Sequence, residues 1–189
     1  HQIRGLLKNS TDVELGVLSE SEAMTMLLNH AGIASLEKES EEHQRALEIV
    51  KLCACLPLTL AIAGGMVAAS GGLSQDIVML MRENLGKELR DEGGTTVEDS
   101  IITSSLNMIG KRGDEALIIA IFRHFAVFPE DIAVPRAVFD VLAPTFIPNA
   151  STAKAVNAMT GCISVLLNYN LLKGSLSAGD GVFMHGKFV

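Results

Sequence analysis

The chain of 189 residues has no tryptophan, one tyrosine and only 4% aromatic residues. Basic residues are also scarce: 15 Lys and Arg stand against 22 Asp and Glu, a net charge of −7. A broad nucleic-acid surface needs a basic face, so this balance argues against one. Cysteine is limited to Cys53, Cys55 and Cys162. That odd, sparse set makes no disulfide framework and suits a reducing compartment, so a cytoplasmic location is expected. Seventeen glycines without a three-residue period exclude collagen. No basic region followed by an apolar run opens the chain, and the first residue is His1, so the sequence reads as a fragment cut at both ends.

What the chain has is apolar residues. They make up 48% of it, too many for a disordered segment. One stretch needs a membrane test: 24 uncharged residues lie between Lys51 and Asp76. Pro57, Gly64-Gly65 and Gly71-Gly72 interrupt it, and only Leu56 to Ala69 is densely apolar. About 14 residues fit a buried helix better than a bilayer span. No Lys/Arg cluster flanks the stretch to orient it, so no membrane span is expected.

The periodicity predicts helix after helix. Ser19-Glu20-Ser21-Glu22 is a capping box, followed by an apolar stripe of Ala23, Met24, Leu27, Leu28 and Ala31 that Gly32 ends. A second helix is predicted from about Lys38 to Cys53, with Glu39, Glu41 and Glu42 at its start. A third opens at Pro57, where a missing N–H costs nothing, and stops at Gly71-Gly72. A fourth covers about Ser74 to Leu89, with Ile77, Leu80, Met81 and Leu85 inward. Asp91 to Thr96 is polar and aperiodic, and reads as a boundary. Residues 1–92 carry −6 and the rest −1, so the acidity belongs to the first part.

Beyond that boundary, helices are predicted over Val97 to Ile109 and Asp114 to Val127, the latter with a stripe of Leu117, Ile118, Ile121, Phe122 and Phe125. A short helix opens at Pro135 and ends near Leu142, Pro144 and Pro148 mark a loop, and a long helix covers Ser151 to Leu167. Leu171 to Gly174 and Val182 to His185 read as two strands, with Asp180-Gly181 as their turn. The expected fold is mainly α: a four-helix-type bundle, then a winged-helix subdomain with a C-terminal β-hairpin. The expected divisions are 1–18 as the tail of a preceding domain, 19–92 as the bundle and 93–189 as the winged helix.

Catalytic patterns are missing. Gly86-Lys87 is followed by Glu88 rather than Ser or Thr, so it is not a phosphate loop. The apolar run Leu117 to Phe122 is followed by Arg123-His124, not by carboxylates that could hold magnesium. Cys53-x-Cys55 has no second cluster for zinc. No nucleophile signature surrounds any serine or histidine.

Two segments remain: Cys53-Ala-Cys-Leu-Pro-Leu-Thr-Leu60 and Met184-His185-Gly186. With the helical layout, they resemble the C-terminal half of an NB-ARC domain, the nucleotide switch of STAND-class ATPases such as plant resistance proteins and the apoptosome scaffold. That family has a Cys-x-Gly-Leu-Pro-Leu-Ala-Leu motif in its helical bundle and Met-His-Asp in its winged helix. Val17-Leu18-Ser19-x-x-Glu22-Ala23 is similar to the bundle's opening. Phe122-Arg-His-Phe-Ala-Val-Phe-Pro-Glu-Asp131 is similar to the Phe-Pro-Glu-Asp segment that begins the winged-helix half. Two positions depart: Cys55 replaces the motif's Gly, and Gly186 replaces the Asp after His185.

The resemblance implies a regulatory lid over ADP or ATP. Pro57, flanked by Leu56 and Leu58, would pack against adenine, and His185 would reach the β-phosphate of ADP. Magnesium, the γ-phosphate and the attacking water would belong to an upstream phosphate-loop domain, the expected partner. Exchange of ADP for ATP would release the winged helix and permit homo-oligomer assembly. The fragment itself would be non-catalytic. Two other readings stay open: a winged-helix nucleic-acid module, and a helical protein-interaction domain without nucleotide. The first needs a basic reading helix, yet Ser151 to Leu167 holds one cation, Lys154, and Ala155 to Leu172 none. Read alone, Leu56-Pro57-Leu58 is a helix start that sets two leucines in a core, and His185 is a polar residue on an exposed strand.

Overall fold

The computed structural model describes residues 16–88 (side chains as far as 85), 96–110, 115–129, 132–177 and 180–184. Among these lie eight helices and a small three-stranded antiparallel sheet. The chain is therefore mainly helical, as expected.

Local signals set most helix ends. Helix α1 (Glu20–Ala31) starts at Ser19, whose hydroxyl oxygen accepts from the Glu22 N–H while the Glu22 carboxylate accepts from the Ser19 N–H at 2.9 Å. Donation from the Ser19 hydroxyl at 2.6 Å, then from the Ser19 N–H, holds the Glu22 carboxyl below its ordinary value. Helix α2 (Glu41–Leu52) is capped by Ser40, whose hydroxyl oxygen accepts from the His43 N–H. Helix α3 (Pro57–Ser70) begins with Pro57 in its first turn and no side-chain cap. Helix α4 (Gln75–Glu88) turns Ile77, Val78, Met81 and Asn84 inward, while Leu80 and Leu85 are half-buried. Helix α5 (Val97–Ile109) opens with a second capping box, Thr96 with Asp99.

Helix α3 explains why the uncharged stretch is not a span. Thr59 to Val67 are all buried, so this helix is apolar around its whole circumference and runs through the middle of a bundle. It packs on α1 and α5, while α2 and α4 close the sides. No helix among the described residues is long and apolar enough to cross a membrane.

Helix α6 (Glu115–Phe125) buries Ile118, Ile121, Phe122 and Phe125 from its predicted stripe. Phe125, Phe128 and Phe139 then stack at centroid distances of 5.3 to 6.5 Å, so the Phe128-Pro129 segment is a packing feature. Helix α7 (Arg136–Phe146) runs past the predicted loop and contains Pro144 in its last turn. Pro144 gives up one backbone bond near the helix end, where two further residues complete the element. Helix α8 (Thr152–Asn168) follows the predicted range within a residue.

The strands are shorter than predicted, and one was not predicted. Strand β1 (Val134–Pro135) pairs with β3 (Gly181–Phe183), and β3 pairs with β2 (Lys173–Gly174), in the order β1-β3-β2. The register sets Val134 opposite Val182 and Lys173 opposite Phe183. Gly181, expected in the turn, is therefore a strand residue: Pro135 lies opposite it on β1.

Packing sorts the elements into two sets. Helices α1 to α5 pack on one another, and α6, α7, α8 and the sheet pack on one another. The expected boundary at 92/93 falls at residues outside the described ones, and α5 beyond it belongs to the first set because it lies on α3 and α4. A buried polar bond fixes it there: Asn84 Nδ2 donates to Ser104 Oγ at 2.8 Å, and Ser104 Oγ donates to the Ser100 carbonyl.

Candidate functional site

The Cys53 to Leu60 segment forms the turn between α2 and α3. Cys53 caps α2, and Ala54 and Cys55 both adopt left-handed backbone, with φ of 51° and 55°. The reversal is closed by backbone bonds: Ala54 N–H to the Lys51 carbonyl, Cys55 N–H to Val50 and Leu56 N–H to Cys53. Thr59, fully buried, places its hydroxyl 2.8 Å from the carbonyl oxygens of both Cys53 and Leu56 and braces the turn from inside. Leu18 N–H donates to the Cys55 carbonyl at 3.1 Å, so the start of the bundle is tied to the same turn.

Outside this frame sit the expected contact residues. Pro57 is exposed, and Leu56 and Leu58 are half-buried. Leu58 also leans on the core, which meets in part the simpler reading of two leucines in a core. The surface they offer is apolar and uncharged. That composition fits the face of a flat base and offers no side chain to compensate a phosphate.

Cys53 is structural. Its side chain is fully buried and burial pushes the thiol up to about 12, so it is protonated at neutral pH and not a nucleophile. All three cysteines are free. Among the described residues no group of His, Cys, Asp or Glu could hold a metal ion. His185 and Gly186 lie outside the described residues, so the structure neither brings His185 to Pro57 nor separates them.

Two of the larger clefts lie elsewhere. An apolar one of about 420 Å³ is lined by Ile121, Phe125, Phe128, Phe139 and Phe146, with His124 and Thr145 as its polar members. His124 Nδ1 is 2.7 Å from the Ala120 carbonyl, and its ring meets Phe146 edge-on at 4.6 Å. A charged cleft of about 520 Å³ between α2 and α4 holds Arg45, Lys51 and Arg82 beside Glu41 and Glu48. Arg82 pairs with Glu48 and Arg45 with Glu41, so much of that charge is satisfied internally. Sequence reasoning missed both clefts, because each is assembled from separate helices.

No protein-family model matches the chain, and no curated protein matches it either.

Proposed function

We propose that the chain is the regulatory lid of an NB-ARC-type ADP/ATP switch: a helical bundle, then a winged helix, closing over a nucleotide held mainly by an upstream phosphate-loop domain. The backbone at Cys55 carries this reading. The family motif has Gly there, and Cys55 sits at φ 55°, in the region that favours glycine. The residue departs from the motif while the turn keeps the conformation that the motif's Gly would serve. That turn presents Pro57 outward at the start of α3.

The order of the second set also supports the reading. A helix, a strand, two helices and two strands, with β1 pairing on β3, fits a winged helix. On this view the bundle ends after α5, and the winged helix begins with α6. Lys154 is the only cation on α8, so the nucleic-acid reading gains nothing.

In the switch, Leu56, Pro57 and Leu58 would hold the base, and His185 would donate to the β-phosphate of ADP. Closed and open states would differ in that contact, which lets nucleotide identity bias assembly. Photolabelling of the full-length protein with a base-azido ADP tests the assignment. The label should fall on the peptide containing Leu56 to Leu58. Labelling confined to other peptides would refute it.

A further inference from the structure

Among the described residues, no element of one packing set lies extensively against an element of the other. The buried residues of both sets nevertheless join in one hydrophobic cluster, and one close backbone approach between the sets lies where the end of α8 and the turn after it meet the middle of α3. Asn170 Nδ2 donates to the Ala61 carbonyl at 2.8 Å, across 109 positions of sequence. Ala61 also lies in α3, and a carbonyl oxygen has two lone pairs, so it accepts this second bond without losing its helical one. Asn170 adopts φ 55°, which asparagine tolerates better than most side chains. The position therefore needs left-handed backbone and a side-chain donor together.

Gly65 makes the approach possible. A Cβ there would lie 2.7 Å from the Asn168 carbonyl oxygen and 2.8 Å from the Tyr169 carbonyl carbon. Both are backbone atoms and cannot rotate away. Gly64 does the same on the adjacent face, where a Cβ would come within 2.4 Å of His30 Cβ on α1. Lys173 on β2 acts on His30 by its charge, at the rim of the same junction. A cleft of about 310 Å³, lined by Ala68, Ala69, Val165, Asn168 and Tyr169, flanks the seat, so the surfaces are not sealed around it.

We propose that the turn after α8 is a latch that holds the second packing set on the bundle, with Asn170 as its closing hydrogen bond and Gly65 as its seat. The latch deepens the switch reading, on which its regulatory role rests. It would keep the lid closed through protein contacts alone, and loosening it would free the second set as a body.

Amide exchange on the 189-residue chain tests this without nucleotide, so its failure is separable from failure of the switch reading. Asn170→Gly removes the donor and relieves the left-handed backbone, while Asn170→Asp keeps the shape and loses the N–H. Asn170→Asp should speed exchange at Tyr169, Leu171 and Leu172 by roughly 2- to 13-fold, the loss of one net hydrogen bond, and Asn170→Gly by less, because the relieved backbone offsets part of that loss. Amides inside α2 should not change. Gly65→Ala should have a larger effect at the same amides, because the clash is with backbone. Unchanged exchange in both Asn170 variants would overturn the latch. A uniform rise across α1 to α8 would overturn it too, because the two sets would then open together and the turn would not control one against the other.

Discussion

The two packing sets are built by different means. In the first, Ser19, Ser40 and Thr96 each cap a helix with a side-chain oxygen, and the fully apolar α3 organises the rest around itself. In the second, α7 and α8 begin at Pro135 and Ser151 with no side-chain cap bond, and the strands are two or three residues long. The first set is specified by local start and stop signals that agree with its packing. The second depends on contacts between distant segments, the aromatic stack and the β1–β3 pairing above all.

The largest expected effect comes from truncating one buried residue in each set. Leu60 in α3 and Ile163 in α8 are both fully buried. Leu60→Ala and Ile163→Ala should each cost about 2–5 kcal/mol in urea unfolding. Exchange during the transition should show Leu60→Ala exposing α1 to α5 first and Ile163→Ala exposing α6 to α8 first. Identical exposure patterns would erase the distinction between the sets.

Removing caps gives a smaller, more selective contrast. Ser40→Ala should cost about 1 kcal/mol, because the His43 N–H loses its acceptor. Ser151→Ala should cost much less, having no such bond to lose. Equal losses in thermal melts would mean that cap chemistry does not separate the two regions.

The smallest effects are pH-dependent. Partial desolvation, then the charge of Lys173, hold the His30 imidazole below its ordinary value of 6.5. The unfolded chain then binds more protons, so stability contributed here is present above pH 6.5 and declines as pH falls toward the lowered folded value. His30→Gln should flatten that part of the profile. Glu22 acts in a lower window: its contribution is present above 4.5 and is lost as pH falls through its lowered folded value. Ser19→Ala should reduce that acid-side slope, because the hydroxyl is lost and the backbone N–H stays, and leave the His30 slope in place.

The same contrast explains what the sequence made legible. Capping boxes, Pro57 and the glycine stops lie within a few residues of the ends they define, so α1, α3, α4 and α5 follow their predicted ranges closely, while α2 starts three residues later than Lys38, at its Ser40 cap. Strand β1 has only two residues and exists by pairing with Val182 and Gly181, nearly fifty positions away, so no local pattern announces it. Pro144 reads as a loop signal by its own chemistry, yet packing carries α7 two residues past it. Asn84 looks polar and therefore exposed, and its bonds to Ser104 and Asn107 on a neighbouring helix make it a core residue. At the candidate site, the Leu56 to Leu58 motif was legible. The left-handed backbone at Cys55 was not, because Cys gives no sign of it.

The central claim is that the α2–α3 turn holds the base of a nucleotide under a closed lid. It is tested most directly by the nucleotide released on denaturing the purified full-length protein, compared for wild type, Pro57→Ala and His185→Ala. The account predicts bound ADP in wild type and a large loss in both variants. A hydrogen bond to a charged phosphate contributes about 1.5–3 kcal/mol, so losing His185 alone should weaken retention roughly 10- to 100-fold. Wild type that releases no nucleotide, or equal ADP in all three proteins, would contradict it.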